Sequence, residues 1–507
     1  MSEPRVPPLV VGFDLDMTLI DTLPGFTATL AALAEEHDVV LDAREIGSRL
    51  GPPLVQLLEG HLPDDALEAA VDRFRALYPD LAIGPVPTLA GAVEALAAVR
   101  SHGGRLVVVT GKYAANARLH LDHLALDVDH LAGDVWGAGK GAALREHGVG
   151  VYVGDHVHDV EGARAGGALS VSVLTGGCTR EELEAAGTDV VLEDLTAFPG
   201  WLDEHVLDLR LEALRADLEA RGSVLVAYSG GADSALLLAA AVRALGPERV
   251  AAATGYSHSL PQVERDPARR FAEELGVRLL TPTTHELERE GYRTNSGQRC
   301  YFCKAELVEV LQELAATHGL AHVATGTNAD DAVAGFRPGI RAAAERGAIT
   351  PLLDAGLSKA QVRAASRRWG LPTWDKPAAA CLSSRVAHGI EISPHRLARV
   401  ERAEAAVREA CAHAEVPLRD LRVRDLGEEA SVEVDAALLT GPLADGTPLA
   451  ERVLAVVREA GFPAAAIDPR GFRSGSMNER TAGWRASVSA AYPSQRRGEG
   501  RARAEET

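Results

Sequence analysis

Two cysteines in the stretch RCYFCK have a spacing that could support chemistry. Cys300 and Cys303 are separated by two residues, in a chain of 507 residues that has only five cysteines. A pair at this spacing could form a disulfide, supply half of a zinc site, act as a redox pair, or belong to a site that needs a third sulfur. Cys381, in AACLSSR, lies in a separate part of the sequence.

The rest of the sequence argues against the first three kinds of site. Five cysteines in so long a chain are not a disulfide framework, and we expect a cytoplasmic protein with reduced thiols. A structural zinc site has four ligands, and no second Cys-x-x-Cys supplies them. A thioredoxin-like redox pair would follow a strand in a different βαβ context.

Four carboxylates follow apolar, strand-like runs in the first 200 residues. Asp14 and Asp16 come after VVGF, and Asp155 and Asp159 come after VYVG. Ligands of doubly wound sheets bind at the carboxyl ends of the strands, and carboxylate oxygens suit Mg²⁺. We therefore predict a magnesium site formed by these four residues, with Asp14 as a nucleophile for a phosphoryl group. Asp16 would protonate the leaving group and later activate water.

Two further residues complete a predicted phosphoryl-transfer site. Thr110 ends the run RLVVVT, and Lys140 opens a helix in GAGKGAAL; both would hold phosphoryl oxygens. The set D-x-D-x-T, T, K and G-D-x-x-x-D resembles the haloacid-dehalogenase superfamily of phosphatases over about residues 8–200. The run TGGCTREELEAAGTDVVLEDL resembles its phosphoglycolate-phosphatase-like members. The resemblance implies the same roles for these residues, and a helical cap at about 22–85 that sets substrate choice.

The second half begins with a glycine-rich turn between a strand and a helix, VLVAYSGGADSALLL. Its glycines let the backbone approach a ligand, and the helix N-terminus suits an anion. The turn lacks the Gly-Lys-Ser/Thr of a loop that binds a γ-phosphate for transfer. S-G-G-x-D-S resembles the pyrophosphate loop of the ATP pyrophosphatase superfamily, which implies ATP binding by Ser229, Gly230, Gly231, Asp233 and Ser234.

Longer blocks between about 207 and 480 resemble one branch of that superfamily. LPTWDKPAAACLSSR and RGFRSGSMNE are similar to the ATP-dependent sulfur transferases that build the nickel-pincer cofactor of lactate racemase. This resemblance implies adenylation of a pyridinium dicarboxylate mononucleotide, then insertion of sulfur, with other enzymes of that pathway as partners. The family residue after RVR is histidine, but this chain has Asp425. The resemblance implies substrate binding by Ser384, Arg385, Arg422, Arg424 and Arg473, and a place for Glu433 near a metal.

The same resemblance gives two roles for the three cysteines. In some members the cysteine at the position of Cys381 donates its own sulfur and is consumed. In others, three cysteines hold a [4Fe–4S] cluster whose fourth iron carries a transferable sulfide. Cys300, Cys303 and Cys381 fit the second pattern, which we favour, and a sacrificial Cys381 is the alternative.

The predicted fold class is α/β, and we expect the residues named above to lie in several domains. We expect a Rossmann-like phosphatase domain at 1–200, a connecting helix at 201–222 and a pyrophosphate-loop α/β domain at 223–390. A small α+β domain at 391–483 and a disordered tail at 484–507 follow. The chain is too long for one hydrophobic core.

Charge and hydropathy narrow the possible partners. The net charge is −20, and the first 200 residues hold 13 basic and 30 acidic residues. An acidic first half and the lack of an RNA-binding module argue against tRNA thiolation, and an amide synthetase would not need Cys381. No apolar run is long enough to cross a membrane. We expect small-molecule substrates, no nucleic-acid or membrane partner, and a homo-oligomer.

Overall fold

The computed structural model describes residues 8–37, 39–48, 54–63, 65–333, 335, 337–377 and 380–473. The tail predicted to be disordered, 484–507, and the end of the predicted small domain lie outside these residues. The chain divides into two compact units, with the boundary between Leu209 and Arg210. Among the described residues, no helix combines the length and the apolar character that crossing a bilayer requires.

The first unit is built on a parallel sheet of six strands, with the spatial order β3-β2-β1-β4-β5-β6. The order reverses between β1 and β4, so the carboxyl ends of these two strands flank the crevice where doubly wound sheets bind ligands. The strands are β1 Val10–Phe13, β2 Arg105–Val109, β3 His130–Ala132, β4 Val151–Gly154, β5 Leu169–Val173 and β6 Val190–Leu192.

Four helices between β1 and β2 form the predicted cap. They bury a hydrophobic core of their own, which includes Phe26, Leu30 and Phe74. They are α1 Leu23–Glu36, α2 Ala43–Ser48, α3 Leu54–Leu58 and α4 Leu67–Leu81. The other helices of the unit are α5 Ala92–Ser101, α6 Ala114–His123, α7 Lys140–His147, α8 Val157–Gly166 and α9 Arg180–Ala186.

The connecting helix, α10 Phe198–Arg221, begins three residues before the predicted start and includes the boundary between the units. In the sequence, Pro199 and Gly200 suggest a break. Pro199 falls in the first helical turn, however, where proline costs little because the backbone N–H it lacks would have no partner inside the helix.

The second unit has a parallel sheet of four strands, in the order β10-β7-β8-β9. The strands are β7 Val224–Ala227, β8 Val250–Ala253, β9 Arg278–Leu280 and β10 His322–Thr325. The helices that accompany them are α11 Ala232–Leu245, α12 Arg265–Glu274, α13 Glu290–Arg293, α14 Arg299–Thr317, α15 Ala329–Val333, α16 Pro338–Glu345, α17 Pro351–Asp354 and α18 Lys359–Arg368.

A smaller sheet with two helices follows in the same unit. β11 Leu421–Asp425 pairs antiparallel with β12 Glu429–Val434, which pairs parallel with β13 Ala464–Ile467. The helices are α19 Pro394–His413 and α20 Pro448–Glu459. Leu382 and Val386 pack in the core of this sheet, so the segment after Cys381 already belongs to it. The confirmed fold class is α/β with parallel sheets and an additional small domain.

Candidate active sites

Three buried carboxylates meet at the switch point of the first sheet. Asp14 follows β1, Asp155 follows β4, and Asp159 lies in the first turn of α8; one oxygen of each lies within 4.8 Å of the others. The Thr18 hydroxyl donates to Asp155 Oδ1 at 2.8 Å. Three hard oxygen ligands at one point are the donor set that Mg²⁺ prefers.

Lys140 is the cation that faces these carboxylates. Its Nζ lies 2.8 Å from Asp14 Oδ1 and 2.6 Å from Asp159 Oδ1, and it donates to the Tyr152 hydroxyl at 3.0 Å. Burial alone would lower the pKa of Lys140, but the two carboxylates outweigh burial and raise it well above its ordinary value. Lys140 therefore stays charged and orients the Asp14 side chain.

The negative charge of the site exceeds what one lysine compensates. Burial raises the pKa of Asp14 from 3.8 to about 7; Lys140 opposes this shift and Asp159 reinforces it. Burial and the neighbouring carboxylates also raise the pKa of Asp155 well above its usual value. A divalent cation would relieve this repulsion, so the residues fit the predicted magnesium site.

Asp16 is not part of this group, although the sequence analysis placed it among the magnesium ligands. Its carboxylate Oδ1 accepts a hydrogen bond from Lys112 Nζ at 2.7 Å and another from the Thr22 hydroxyl. Burial would raise the pKa of Asp16, but these two donors outweigh it and lower the pKa. The structure thus separates Asp14 and Asp16 into two environments, which suits one nucleophile and one proton-transfer residue.

The cap closes over these residues and leaves a cavity of about 210 Å³. Thr110 is buried on its wall, and its hydroxyl oxygen accepts from the backbone N–H of Lys112 at 3.2 Å. The Lys112 ammonium lies 4.8 Å from the centre of the Tyr78 ring, which the cap supplies. The Tyr78 hydroxyl is 3.0 Å from His120 Nε2. Sequence reasoning missed Lys112, whose position two residues after Thr110 was the available signal.

The glycine-rich turn of the second unit lies at the N-terminus of α11, a position whose free backbone N–H groups suit an anion. Gly230 adopts a φ of 72°, a conformation that side chains rarely permit. The hydroxyl of Ser234 is 3.1 Å from that of Ser229 and donates to the Gly231 carbonyl at 3.2 Å. Asp233 Oδ1 accepts from Asn328 Nδ2 at 2.9 Å, which ties the turn to the segment after β10.

Next to this turn lies a cavity of about 310 Å³. Ser229, Asp233 and Ser234 line it together with Cys303 and Cys381. The structure therefore brings the predicted pyrophosphate site and two of the three predicted cysteines into one cavity.

The three cysteines of the predicted cluster are neighbours. Cys300 and Cys303 lie in the first turn of α14, on the same face; Cys300 is exposed and Cys303 and Cys381 are half-buried. Burial raises the pKa of the Cys303 thiol well above its ordinary value, and the proximity of Cys381, Glu286 and Cys300 raises it further. Cys303 thus lies near both Cys300 and Cys381, and a cluster with one open iron is held by three thiolates.

A buried hydrogen-bond network ties the two cysteine segments together. Arg299 Nη1 donates to Asn295 Oδ1 at 2.5 Å and to the Ser383 carbonyl at 2.8 Å. The Asn295 side-chain amide donates to the carbonyls of Val386 and Ala387 at 3.2 Å and 2.8 Å. These bonds fix the start of α14 against the residues that follow Cys381.

Arg385, Arg422 and Arg424 lie close together. Neither they nor the other two predicted substrate residues, Ser384 and Arg473, line the 310 Å³ cavity. Arg385 Nε lies 2.9 Å from Glu404 Oε1, and its Nη1 donates to the Cys381 carbonyl at 2.9 Å. Arg424 Nη1 donates to the Ser384 carbonyl at 3.2 Å. Burial and the charge of Arg385 lower the pKa of Arg422 to about 10. Arg473 is half-buried at the end of the described chain.

Glu433, predicted near a metal, is the partner of Arg424. Its Oε2 accepts from Arg424 Nε at 2.9 Å and from Nη2 at 2.7 Å, and the residue is fully buried. Among the described residues, the group that could hold a metal ion is that of Asp14, Asp155 and Asp159. The alternation of β11 and β12 explains the pair, because both side chains lie on one face of the sheet.

Replacing Glu433 with alanine is expected to lower the free energy of unfolding by about 3–5 kcal/mol, because it leaves a buried guanidinium uncompensated. Urea unfolding of the full chain measures this change, and Glu429→Ala, an exposed position on the same strand, is the matched control. If Glu433 stabilised the protein chiefly as a metal ligand, EDTA would abolish the difference in stability between Glu433→Ala and the unmodified chain; we expect this difference to persist in EDTA.

Sequence reasoning missed several polar residues of the larger cavity. Lys376 Nζ donates to the Gly230 carbonyl at 2.9 Å and pairs with Glu264 at 2.5 Å. Lys304 lines the cavity directly after Cys303, and burial lowers its pKa. Glu286 lies in a short loop helix after β9. Adjacency to Cys303 was the signal for Lys304, and Lys376 lies in the block LPTWDKPAAACLSSR; Glu286 belongs to no motif.

Comparison with known proteins gives two separate sets of similarities. The haloacid dehalogenase-like hydrolase family matches residues 11–164, and the HAD-hydrolase-like family matches residues 141–198. The chain is 31% identical over 220 residues to a phosphoglycolate phosphatase of Rhodospirillum rubrum, which covers 38% of this chain and 91% of the relative.

The alignments with relatives of the second set cover a larger share of this chain than the alignment with the phosphatase does. The chain is 38% identical over 273 residues to an uncharacterized protein of Synechocystis, which covers 54% of this chain and 98% of the relative. It is 32% identical over 256 residues to the pyridinium-3,5-bisthiocarboxylic acid mononucleotide synthase of Lactiplantibacillus plantarum, covering 50% of this chain and 89% of that synthase.

Proposed function

Because the chain belongs to the haloacid dehalogenase-like phosphatases in one half and to the family of pyridinium-3,5-bisthiocarboxylic acid mononucleotide synthase in the other, we propose that it joins a phosphatase to an ATP-dependent sulfur transferase. The sulfur transferase would adenylate a pyridinium dicarboxylate mononucleotide and insert sulfur on the route to the nickel-pincer cofactor. The observation that carries this proposal is the single cavity shared by Ser229, Ser234, Cys303 and Cys381.

In the first unit, Asp14 would attack phosphorus. Its carboxylate would form a bond to phosphorus while the bond to the leaving oxygen breaks, giving an aspartyl phosphate. Mg²⁺ held by Asp14, Asp155 and Asp159 would neutralise phosphoryl charge. Lys140 keeps Asp14 oriented, and Asp16 would move the protons.

The contact between Lys112 and Asp16 affects the two proton-transfer steps differently: it favours the step in which Asp16 takes a proton and opposes the step in which Asp16 donates one. While Lys112 holds it, Asp16 stays ionised and can take a proton from the water that hydrolyses the aspartyl phosphate. Donation of a proton to the leaving group requires a protonated Asp16, so an incoming substrate would have to draw the Lys112 ammonium away.

In the second unit, the glycine-rich turn would hold the pyrophosphate of ATP. A substrate carboxylate oxygen would attack the α-phosphorus, pyrophosphate would leave, and an acyl adenylate would form. A sulfur nucleophile would then attack the acyl carbon and release AMP. A [4Fe–4S] cluster bound by Cys300, Cys303 and Cys381 would supply transferable sulfide. In the alternative, the Cys381 thiolate itself attacks the acyl carbon and forms a thioester; its Cβ–S bond then breaks with loss of the α-proton, which leaves the thiocarboxylate and a dehydroalanine.

The test is formation of AMP and pyrophosphate by the full chain with ATP and pyridinium-3,5-dicarboxylic acid mononucleotide. We expect both products only when the mononucleotide is present, and at least about tenfold less AMP from Ser234→Ala, since its hydroxyl supports the turn. ATP alone is the control. AMP formation that depends on tRNA or ammonia instead of the mononucleotide would contradict the proposal.

Running the same assay with Asp14→Asn asks whether the two units cooperate. If the first unit hydrolyses pyrophosphate and so pulls adenylation forward, pyrophosphate will accumulate in the variant and not in the unmodified protein. Equal accumulation in both would exclude this coupling.

A further inference from the structure

A buried carboxylate on the wall of the 310 Å³ cavity has no role in the chemistry described above. Glu286 is 3% exposed, and only its Oε1 is engaged: the hydroxyls of Ser257 and Ser259 both donate to it, at 2.5 Å and 2.7 Å. No described residue donates a hydrogen bond to Oε2. Glu286 lines the cavity, so a ligand bound there can donate a hydrogen bond to Oε2 while the two serines hold the carboxylate in place.

The position of Glu286 in the sheet indicates which part of a ligand it meets. The pyrophosphate loop follows β7, Ser257 follows β8 and Glu286 follows β9, and these are three neighbouring parallel strands. The carboxylate of Glu286 bonds to Ser257 and Ser259 in the loop after β8, so it lies to one side of the pyrophosphate loop on the same cavity wall. A ligand whose phosphates bind at α11 would present its sugar, not its phosphates, on this side.

The chemistry of the group favours a sugar hydroxyl over a metal ion. A carboxylate is the usual acceptor for ribose hydroxyls in the crevices of α/β sheets. A Mg²⁺ ion that accompanied the phosphates would lie beside the loop. Among the described residues, Glu286 belongs to no group of three side chains that could hold a metal ion.

We propose that Glu286, with its two supporting serines, binds the vicinal hydroxyls of a ribose in the cavity. This rests on the proposed function, which supplies two such sugars: the ribose of ATP and the ribose of the mononucleotide substrate. By fixing the sugar, Glu286 sets where the α-phosphate or the reacting carboxyl group lies relative to Cys381.

Calorimetric titration of the full chain distinguishes the two sources. If the site takes the ribose of ATP, the unmodified protein binds ATP about tenfold more tightly than 2′-deoxy-ATP or 3′-deoxy-ATP, and Glu286→Gln binds all three alike. If the site takes the substrate ribose, Glu286→Gln leaves ATP binding unchanged and weakens binding of nicotinic acid mononucleotide, used as the probe, by about tenfold.

Two further variants test whether Glu286→Gln acts only by disturbing the structure. Glu288→Gln, whose side chain is 79% exposed in the same turn, should behave as the unmodified protein. Ser259→Ala, which removes one donor to Oε1, should lose part of the discrimination with an unchanged unfolding temperature.

The inference is overturned if Glu286→Gln alters neither titration, or if it changes the Mg²⁺ requirement and not the discrimination between sugars. An unmodified protein that binds no ATP at all would overturn the proposed function as well. If the protein binds ATP, but neither the deoxy-ATP analogues nor nicotinic acid mononucleotide reveals an effect of Glu286, the inference is overturned and the proposed function is not.

Discussion

Replacing Asp14 with asparagine is expected to lower phosphomonoester hydrolysis by at least about a thousandfold, because the amide cannot attack phosphorus. The change keeps the size of the side chain, and Lys140 retains its contact with Asp159 at 2.6 Å. It also removes one of three buried carboxylates that repel one another. We therefore expect the folded state to be no less stable than that of the unmodified protein.

The assay is release of inorganic phosphate from p-nitrophenyl phosphate in the presence of Mg²⁺, with thermal unfolding recorded for each variant. Asp134→Asn is the matched control, because Asp134 lines the same cavity but is exposed and contacts only the backbone N–H of Ala114. The control should retain most of the activity. Equal losses in the two variants, or activity of Asp14→Asn within tenfold of the unmodified protein, would contradict a nucleophilic Asp14.

The central strands of the first sheet could be predicted from sequence, and its edges could not. β1, β2, β4 and β5 are buried apolar runs bounded by turns, so their pattern is clear. β3 and β6 have three residues each and are at most half-buried, since each lies at an edge of the sheet. A strand that is short and covered on few sides leaves little hydrophobic pattern to read.

The complete burial of β11 could not be predicted from sequence, for a different reason. Its sequence LRVRD alternates apolar and charged residues, which is typical of a strand with one face in solvent. All five residues are nevertheless buried, because Arg424 is neutralised by Glu433 and Asp425 by Arg396 and Arg399. These partners are distant in sequence or on other elements, so pairing of this kind is visible only in the fold.

In the candidate sites too, some residues could be predicted from the sequence and others became visible only in the fold. Residues at strand ends with strong chemistry, such as Asp14 and Ser229, could be chosen from spacing alone. The hold of Lys112 on Asp16 depends on how the loop after β2 meets the loop after β1, which spacing does not encode. Glu286 resembles any exposed loop glutamate until the fold buries it between Ser257 and Ser259.

The largest expected effect in the second unit is the loss of iron on changing Cys300 to alanine. Anaerobically purified protein should contain about four irons per chain together with acid-labile sulfide, and the variant should contain almost none, since two thiolates cannot hold the cluster. Cys300 is exposed, so its replacement creates no cavity and should leave ATP binding intact. Cys178→Ala, in the first unit, is the control and should keep its iron.

The outcome also decides how sulfur reaches the substrate. Iron lost in Cys300→Ala, with adenylation of the mononucleotide retained, means that Cys300, Cys303 and Cys381 act as cluster ligands and that the enzyme can turn over repeatedly. Protein that stays iron-free after reconstitution contradicts the cluster. In that case Cys381 should lose the mass of one hydrogen sulfide in a single turnover with ATP and mononucleotide, while Cys300→Ala should lose the same mass, because its thiol would then take no part in the transfer.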